Sequence, residues 1–424
     1  MLNDILKIFE VNNKFLVLNP LVPAWVVTNR NGVIIINLFD QLQSKDKVAK
    51  NYCDFDKTLH TSDVIEFLNK VEESGLFIQN QCEKHHKPYI LGGLYLNMTS
   101  ACNLHCIYCF AATRVEYGQS TLLLDDYYRI LNEAKQISRN IDVNFTGGEP
   151  LLSSNTLPVA RYAKNLGFST RLLTNATLIN ADNVDEVASC FDAFKISVDG
   201  STREKHEYYR GFNTYERTLN AIDLLLKRNK KVNVAMVVTR NNKDDVSDMS
   251  KKWGSKLIFQ PLFPLGRAKA SDNVALTGNE YFDVLSRDAN INPYSDLENI
   301  LKAHQESRTI KKCAIGDGEV SISCTGDVYP CQLLHHKEFL LGNVKNSSLI
   351  EIYNSDKNNL FKHHTVENIS KCKDCDFKYL CGGACQARHF SETGSIDEAG
   401  DFCQYEQKAI INGLIRNCDL TKLG

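Results

Sequence analysis

Residues 99–112, TSACNLHCIYCFAA, hold three closely spaced cysteines: Cys102, Cys106 and Cys109. A closed zinc site usually takes four protein ligands, and the sequence offers no fourth cysteine close by. Three thiolates at this spacing could instead ligate three irons of a [4Fe–4S] cluster and leave the fourth iron open to a small molecule. The stretch predicts such a centre, with a structural zinc site or a chance cluster of cysteines as the alternative.

In a second stretch, FTGGEPLL at residues 145–152, a predicted strand ends at Gly147, 38 residues after Cys109. Two adjacent glycines let a backbone approach a ligand closely, and the Glu149 carboxylate can accept a hydrogen bond from an ammonium group. The alternative is a plain strand-to-helix turn with Pro150 at the first helical position.

From about residue 92 to residue 265, strand and helix patterns alternate. The predicted strands are YLNMT (95–99), DVNFT (142–146), TRLLTN (170–175), FKISVDG (194–200), KVNVAMVVT (231–239) and KLIFQPLF (256–263). The clearest helices are DDYYRILNEAKQI (125–137) and YERTLNAIDLLLKRN (215–229). Alternation of this kind predicts an α/β fold with a parallel sheet, here a partial (β/α)6 TIM-like barrel. Its active site should lie at the carboxyl ends of the strands, where both stretches fall.

Composition places the chain among ordinary globular proteins. With 424 residues it has room for two or three domains. A net charge of -2 gives no basic footprint for nucleic acid. No apolar run approaches the roughly 18 residues of a membrane span, and the N-terminus is unlike a signal peptide, so we expect a cytoplasmic protein. The 15 cysteines are an odd number and are clustered, which favours metal binding over disulfides.

Residues 1–85 are predicted to form a separate small domain. KFLVLNP (14–20) and AWVVTN (24–29) have strand patterns, whereas NGVIIINLFDQL (31–42) fits a strand or a helix. SKDKVAKNY (44–52) and the stretch from residue 61 are predicted helices, the second with Thr61 or Ser62 as its N-cap and Gly75 at its end. Residues 306–424 lose the alternation and are rich in cysteine, as expected where metal replaces a large apolar core.

Taken together, the two stretches resemble the radical S-adenosylmethionine (SAM) enzymes. The resemblance implies that Cys102, Cys106 and Cys109 hold a [4Fe–4S] cluster whose open iron binds SAM. LLTNAT (172–177) and ISVDG with EYYRG (196–200 and 207–211) resemble further SAM-contacting segments of that family, although Ala176 replaces a glycine. The residues that the resemblance assigns to SAM are Tyr108, Gly147, Gly148, Glu149, Pro150, Thr174, Asn175, Ser197 and Arg210.

The C-terminal cysteines resemble the seven-cysteine SPASM extension, which implies two auxiliary [4Fe–4S] clusters and three clusters in all. By that resemblance one auxiliary cluster is held by Cys372, Cys375, Cys381 and Cys403, and the other by Cys313, Cys331 and Cys385. Either Cys324 supplies the missing ligand of the second set or one iron stays open. We favour the open iron, because Cys324 shares a face with Cys331 only in one strand register. The implied domains are 1–85, 92–305 and 306–424.

The N-terminal domain resembles the PqqD-like domains that recognise leader peptides by strand addition, with a winged-helix domain as the alternative. We therefore expect a maturase that installs a thioether in a ribosomally made peptide, with SAM as cofactor and a flavodoxin or ferredoxin as electron donor. Carbon–carbon crosslinking or epimerisation is the alternative. A sulfatase maturase is disfavoured. Resemblance to that group implies an Asp that acts as a base at the position where this chain has Gln332. A non-catalytic electron carrier is also disfavoured, because it needs no SAM site.

Overall fold

The computed structural model describes residues 5–79, 89–113, 121–270, 274–288, 291, 297–306 and 309–417. Cys82 and Cys418, which match no cluster spacing, lie outside the described residues. The N-terminal domain has a three-stranded antiparallel sheet in the order β1-β2-β3. Its strands are β1 Lys7–Val11, β2 Lys14–Asn19 and β3 Ala24–Thr28, and its helices are α1 Arg30–Leu42, α2 Lys45–Phe55 and α3 Thr61–Glu73.

Helix capping explains two local features of this domain. The ambiguous run 31–42 is helical, because the Asn29 side chain accepts the Gly32 N–H over 3.0 Å and caps α1. The N-cap of α3 is His60 rather than Thr61 or Ser62. Asp63 accepts the His60 N–H over 3.1 Å, so a first-turn carboxylate satisfies the N-terminal end of the helix.

The central sheet confirms the predicted α/β fold. Strands β4 to β9 pair in parallel, each with the next. They are β4 Gly93–Thr99, β5 Asp142–Gly147, β6 Ser169–Thr174, β7 Ala193–Ser197, β8 Lys231–Val238 and β9 Leu257–Pro261. The helices of this region are α4 Leu124–Ile137, α5 Thr156–Asn165, α6 Val184–Cys190, α7 Arg203–Arg210, α8 Tyr215–Leu226 and α9 Val246–Trp253. Cys190 is buried in the core of this barrel, whereas Cys53 is half-buried in the N-terminal domain.

The C-terminal region adds strands to the same sheet. Strand β10 (Glu319–Ile322) pairs in parallel with β4, and β11 (Asp327–Tyr329) and β12 (Gly342–Asn343) follow in antiparallel fashion. The sheet thus has nine strands, in the order β12-β11-β10-β4-β5-β6-β7-β8-β9. The remaining helices are α10 Gly278–Ser286, α11 Leu297–Gln305, α12 Leu349–Tyr353, α13 Asp356–Lys362, α14 Lys378–Cys381, α15 Gln386–Thr393 and α16 Cys403–Asn417.

The N-terminal sheet is buried on both faces. On one face Val17 and Val26 pack with the domain's own helices. On the other face the side chains pack against α16: Leu16, Leu18, Trp25 and Val27 meet Ala409, Ile410, Leu414 and Ile415. The domain therefore has its own core, as expected, and shares a second core with the last helix.

Candidate active site and cluster-binding regions

The Gly-Gly stretch lies directly against the cysteine loop that follows β4. The Gly148 N–H donates to the Thr99 carbonyl over 2.8 Å, and the Glu149 N–H donates to the Ala101 carbonyl over 2.9 Å. A Cβ atom on Gly148 would lie 2.1 Å from the Ala101 carbonyl oxygen, a distance that excludes any side chain there. The glycines thus hold the cysteine loop in place by close backbone contact.

Glu149 lies behind the wall of the site. It is fully buried, and its carboxylate accepts the Thr174 hydroxyl at 2.8 and 2.9 Å, the Asn175 N–H at 2.9 Å and the Leu151 N–H at 3.2 Å. Burial raises the pKa of this carboxyl, and the hydrogen bonds from Asn175 and Thr174 counteract that rise. The role of Glu149 as an acceptor for an ammonium group stays a prediction. In the structure its carboxylate joins the ends of β5 and β6 and caps a short 3₁₀ turn begun by Pro150.

A buried charged cluster lies beneath Cys106. The Tyr108 hydroxyl and the Arg210 Nε both donate to the Asp199 carboxylate. Arg210 also donates to the Tyr108 hydroxyl over 3.1 Å and lies 3.9 Å from the Cys106 sulfur. Burial alone would lower the pKa of Arg210, but Asp199 beside it raises that pKa well above its usual value. Asp199 was not among the predicted site residues, although it lies in the ISVDG segment (196–200), where an acidic residue just after a strand is a usable signal.

These groups surround a cavity of about 260 Å³ at the carboxyl ends of the strands. Its wall contains the three loop cysteines and every predicted SAM contact except Glu149 and Pro150: Tyr108, Gly147, Gly148, Thr174, Asn175, Ser197 and Arg210. Lys195, which sequence analysis did not single out, also lines the cavity. Burial and the nearby Arg171 lower the pKa of Lys195 to about 8.

The first auxiliary set of cysteines lines a second cavity, of about 590 Å³. Cys313, Cys331 and Cys385 lie in its wall, together with Cys381. Burial raises the pKa of Cys313 to about 12 and raises the pKa of the Cys385 thiol. Buried thiols of this kind become thiolates when a metal compensates the charge. The donor set therefore fits an iron–sulfur cluster.

Cys324 is placed apart from that set. It is buried and lines a separate small hollow with Asn97, Ser323 and His335. Strands β10 and β11 form a hairpin in which β10 ends at Ile322 and β11 begins at Asp327, so Cys324 lies in the turn and not on an arm. The sequence left Cys324 open as a cluster ligand, and the structure does not bring it to the other three thiols.

The second auxiliary set is grouped around the start of α16. The pKa of Cys372 is raised to about 12 by burial and by the nearby Cys403 and Cys375 thiols. Burial and Cys375 raise the pKa of Cys403 to about 11, and the same three thiols act on Cys381. Within the described ranges, no group of three or more His, Cys, Asp or Glu side chains converges closely enough to hold a single metal ion.

Comparison with known proteins agrees with this geometry. Residues 96–252 match the radical SAM superfamily, and residues 313–376 match the SPASM iron–sulfur cluster-binding domain. The chain joins a radical SAM domain to a SPASM domain. It therefore binds SAM and iron–sulfur clusters. In the part of the chain that the structure covers, no helix is both long and apolar enough to cross a membrane.

Curated relatives of this radical SAM–SPASM protein have several activities. It is 27% identical over 73% of its length to the AdoMet-dependent heme synthase of Methanosarcina barkeri, of which 95% is covered. It is also 27% identical over 72% of its length to a cysteine-type anaerobic sulfatase-maturating enzyme of Clostridium perfringens, of which 91% is covered. A third relative is the mycofactocin maturase MftC of Mycobacterium ulcerans, at 25% identity over 69% of this chain and 82% of that protein.

Two solved structures share the fold. The sulfatase-maturating enzyme anSMEcpe with bound AdoMet has a TM-score of 0.63 at 24% identity and covers 77% of this chain and 98% of its own. SuiB of Streptococcus suis bound to SAM has a TM-score of 0.57 at 15% identity and covers 95% of this chain and 99% of its own. Since only about a twentieth of this chain lies outside the SuiB match, that match includes most of the N-terminal domain.

Proposed function

We propose that this protein is a radical SAM maturase that installs a thioether crosslink in a ribosomally made precursor peptide. When SAM and its cluster are bound at Cys102, Cys106 and Cys109, they supply a 5′-deoxyadenosyl radical that removes a hydrogen atom from a carbon. The protein's own part is to hold the peptide carbon in the 260 Å³ cavity and to bring a sulfur close to it.

One observation carries the proposal. The 260 Å³ cavity, called the SAM cavity below, and the 590 Å³ cavity, called the first auxiliary cavity, share a wall. Gln332 and Leu333, the two residues after Cys331, line both cavities. Thioether formation is a two-electron oxidation, and removal of one hydrogen atom accounts for only one electron. A peptide bound in the SAM cavity would therefore lie one residue layer from the auxiliary thiols, where an acceptor for the second electron is needed. We propose three [4Fe–4S] clusters in total.

The N-terminal domain supports a peptide substrate. A SuiB structure is described as bound to its precursor peptide SuiA, and the SuiB likeness extends over this domain. No further strand pairs with β1 among the described residues, and β1 has exposed positions whereas β3 is fully buried. We propose that a leader peptide adds as a strand beside β1, as in a PqqD-like domain.

Gln332 argues against sulfatase maturation. Resemblance to sulfatase maturases implies that an Asp at this position accepts a proton during the reaction. The side-chain amide of Gln332 cannot take up a proton. Because Gln332 lines the SAM cavity, the substitution falls where a substrate would react. Carbon–carbon crosslinking needs the same electron acceptor as thioether formation, so it stays the second candidate.

The test is co-expression with each short peptide encoded beside the gene, together with a flavodoxin or ferredoxin as reductant, followed by mass spectrometry. We expect a peptide that has lost two hydrogens, with a cysteine sulfur bonded to carbon. The peptide should stay unmodified with the variant in which Cys102, Cys106 and Cys109 are all replaced by alanine. Cys190→Ala, a change at a core thiol, should still modify the peptide. A cysteine-free peptide that still loses two hydrogens would favour carbon–carbon bond formation, and an unmodified peptide in every pairing would contradict peptide maturation.

A further inference from the structure

The β10–β11 hairpin places a carboxylate beside a cluster cysteine. In this antiparallel pair Ser321 stands opposite Tyr329, and Ile322 stands opposite Val328. Continued by two residues, the same register puts Glu319 opposite Cys331. Opposite residues project from the same face of a sheet, and the Glu319 carboxylate and the Cys331 thiol lie close enough to interact electrostatically.

Glu319 also faces the other members of the first auxiliary set. It lines the 590 Å³ cavity together with Cys313, Cys331 and Cys385. The wall also holds Cys381, which the resemblance assigns to the second auxiliary set, and Glu406. The three cysteines of the first set and the Glu319 carboxylate thus border one space that is large enough for a cluster, and Glu319 is the carboxylate that stands opposite Cys331 in the hairpin. A site with four coordinating positions and three thiolates needs one more donor, and Glu319 is placed to be that donor.

No cation in the described residues neutralises this carboxylate. Lys312 lines the same cavity, but its ammonium group is paired with Asp317 at 2.9 Å and donates to the carbonyls of Phe361 and Lys362. A carboxylate without a counter-charge is costly in a largely enclosed site, and an iron of the cluster would remove that cost.

The position of Cys324 separates it from this set. It lies in the turn beyond Ile322, the last residue of β10, and lines the small hollow beside Asn97 and His335. The 590 Å³ cavity is lined by the three cysteines of the first set and not by Cys324. This additional cysteine would therefore need a rearrangement of the turn to act as the fourth ligand.

We propose that Glu319 is the fourth ligand of the first auxiliary cluster, so that three thiolates and one carboxylate bind its irons. Carboxylate is a harder donor than thiolate, and cluster potentials depend on ligand type and net charge. An iron held by Glu319 would differ electronically from irons held by thiolates. A substrate thiol would reach it only if the carboxylate left, which differs from the open iron that the sequence suggested.

The experiment uses the full chain with Cys102, Cys106 and Cys109 replaced by alanine, so that only auxiliary clusters contribute to the signal. Glu319→Ala, Glu319→Gln and Glu319→Cys are made in this background, with Cys324→Ala as the matched control. After anaerobic reconstitution, iron is counted and electron paramagnetic resonance spectra are recorded before and after mild oxidation. Circular dichroism confirms that each variant is folded.

We expect Glu319→Ala and Glu319→Gln to lose about one iron per chain on oxidation and to give a [3Fe–4S] signal, because a single iron has lost its protein ligand. Glu319→Cys should retain four irons in that cluster and shift its reduction potential, and Cys324→Ala should match the parent. If Glu319→Ala prevents assembly, the Gln and Cys variants decide. Unchanged spectra and iron content in Glu319→Gln, or iron loss in Cys324→Ala, would overturn the assignment.

This test needs neither SAM nor a peptide. A failure of the ligand assignment therefore leaves the proposed peptide maturation standing. Conversely, if the variants behave as expected and no peptide is modified, the maturase proposal fails alone.

Discussion

The Thr174 hydroxyl lies 2.8 and 2.9 Å from the two oxygens of the fully buried Glu149 carboxylate. It also accepts the Ala176 N–H over 2.8 Å, so one side chain connects the turn after β5 to the turn after β6. The two turns carry the residues that line the SAM cavity on this side. Their relative position depends on a hydrogen bond between buried groups, which is costly to leave unmade.

We therefore expect Thr174→Val, which keeps the shape and removes the hydroxyl, to lower the free energy of unfolding by about 1–3 kcal/mol. It should also weaken SAM binding, because the hydrogen bond that connects the two turns of the cavity wall is lost. Thermal denaturation and a SAM titration measure the two effects. Thr58→Val, at an exposed threonine bonded to Asp56, is the control and should change neither. Wild-type stability in Thr174→Val would show that the backbone donors alone hold Glu149.

The Asp199–Arg210 pair gives a second prediction. Asp199→Asn leaves the buried Arg210 charge without its partner, and breaking a buried ion pair typically costs about 3–5 kcal/mol. We expect a much lower melting temperature and loss of reductive SAM cleavage, measured as 5′-deoxyadenosine release. Asp185→Asn removes an exposed partner of Arg228 and should leave stability nearly unchanged, because water and salt screen exposed ion pairs. Equal effects of the two changes would mean that the buried pair has no special role.

Iron content tests the number of clusters. Three [4Fe–4S] clusters predict about twelve irons per chain after anaerobic reconstitution, and the Cys102, Cys106 and Cys109 triple variant should lose about four of them and all SAM cleavage. The Cys190→Ala variant should keep both. Zinc as the dominant metal, found by elemental analysis, would contradict the assignment.

Lys195 predicts a pH dependence of SAM binding. Its folded-state pKa of about 8 lies below the ~10.4 of a free lysine, so the ammonium in the cavity loses its proton as the pH rises through 8. Repulsion of the SAM sulfonium then disappears, and affinity should rise by up to about tenfold between pH 7 and pH 9. The SAM amino group titrates in the same range. Its contribution is the change of SAM affinity with pH that remains in Lys195→Met, and this is subtracted from the wild-type change. Superimposable profiles for wild type and Lys195→Met would contradict the prediction.

The shared core between the N-terminal sheet and α16 predicts that residues 1–85 are not freely removable. Trp25 is only 1% exposed and packs in that shared core, so Trp25→Ala should cost about 3–5 kcal/mol. Truncation of residues 1–85 should lower the melting temperature and reduce SAM cleavage as well as peptide modification. Phe55→Ala, at a side chain that is 84% exposed, is the control for both. A truncated chain with full stability and full SAM cleavage would show that packing of the N-terminal sheet against α16 is not required for stability.

The sequence predicted the parts of this fold that leave a local pattern. Strands β4 to β9 were recognisable because apolar strand segments alternate with amphipathic helices. The place of β10 beside β4 was not, since pairing between residues 319–322 and 93–96 leaves no trace in either segment. The helical state of residues 31–42 could have been inferred from Asn29, a favourable capping residue.

The site shows the same limit. Motif spacing indicated the cysteines and most of the SAM cavity, because those residues follow strand ends in order. Glu319, Lys195 and Asp199 were missed because their environments come from other strands, and a single charged residue in a sequence does not reveal whether it will be buried. The role of Cys324 depended on a hairpin register, which side-chain alternation restricts but does not fix.

Helix α16 begins at Cys403, one of the second auxiliary set, and ends under the N-terminal sheet. An engineer who wishes to exchange the peptide-recognition domain for that of another maturase therefore cannot cut at the linker alone. The graft must bring along, or redesign, the apolar side of this last helix. We expect chimeras to bind the second auxiliary cluster only if the N-terminal sheet and the C-terminal helix are a matched pair, because that helix carries Cys403.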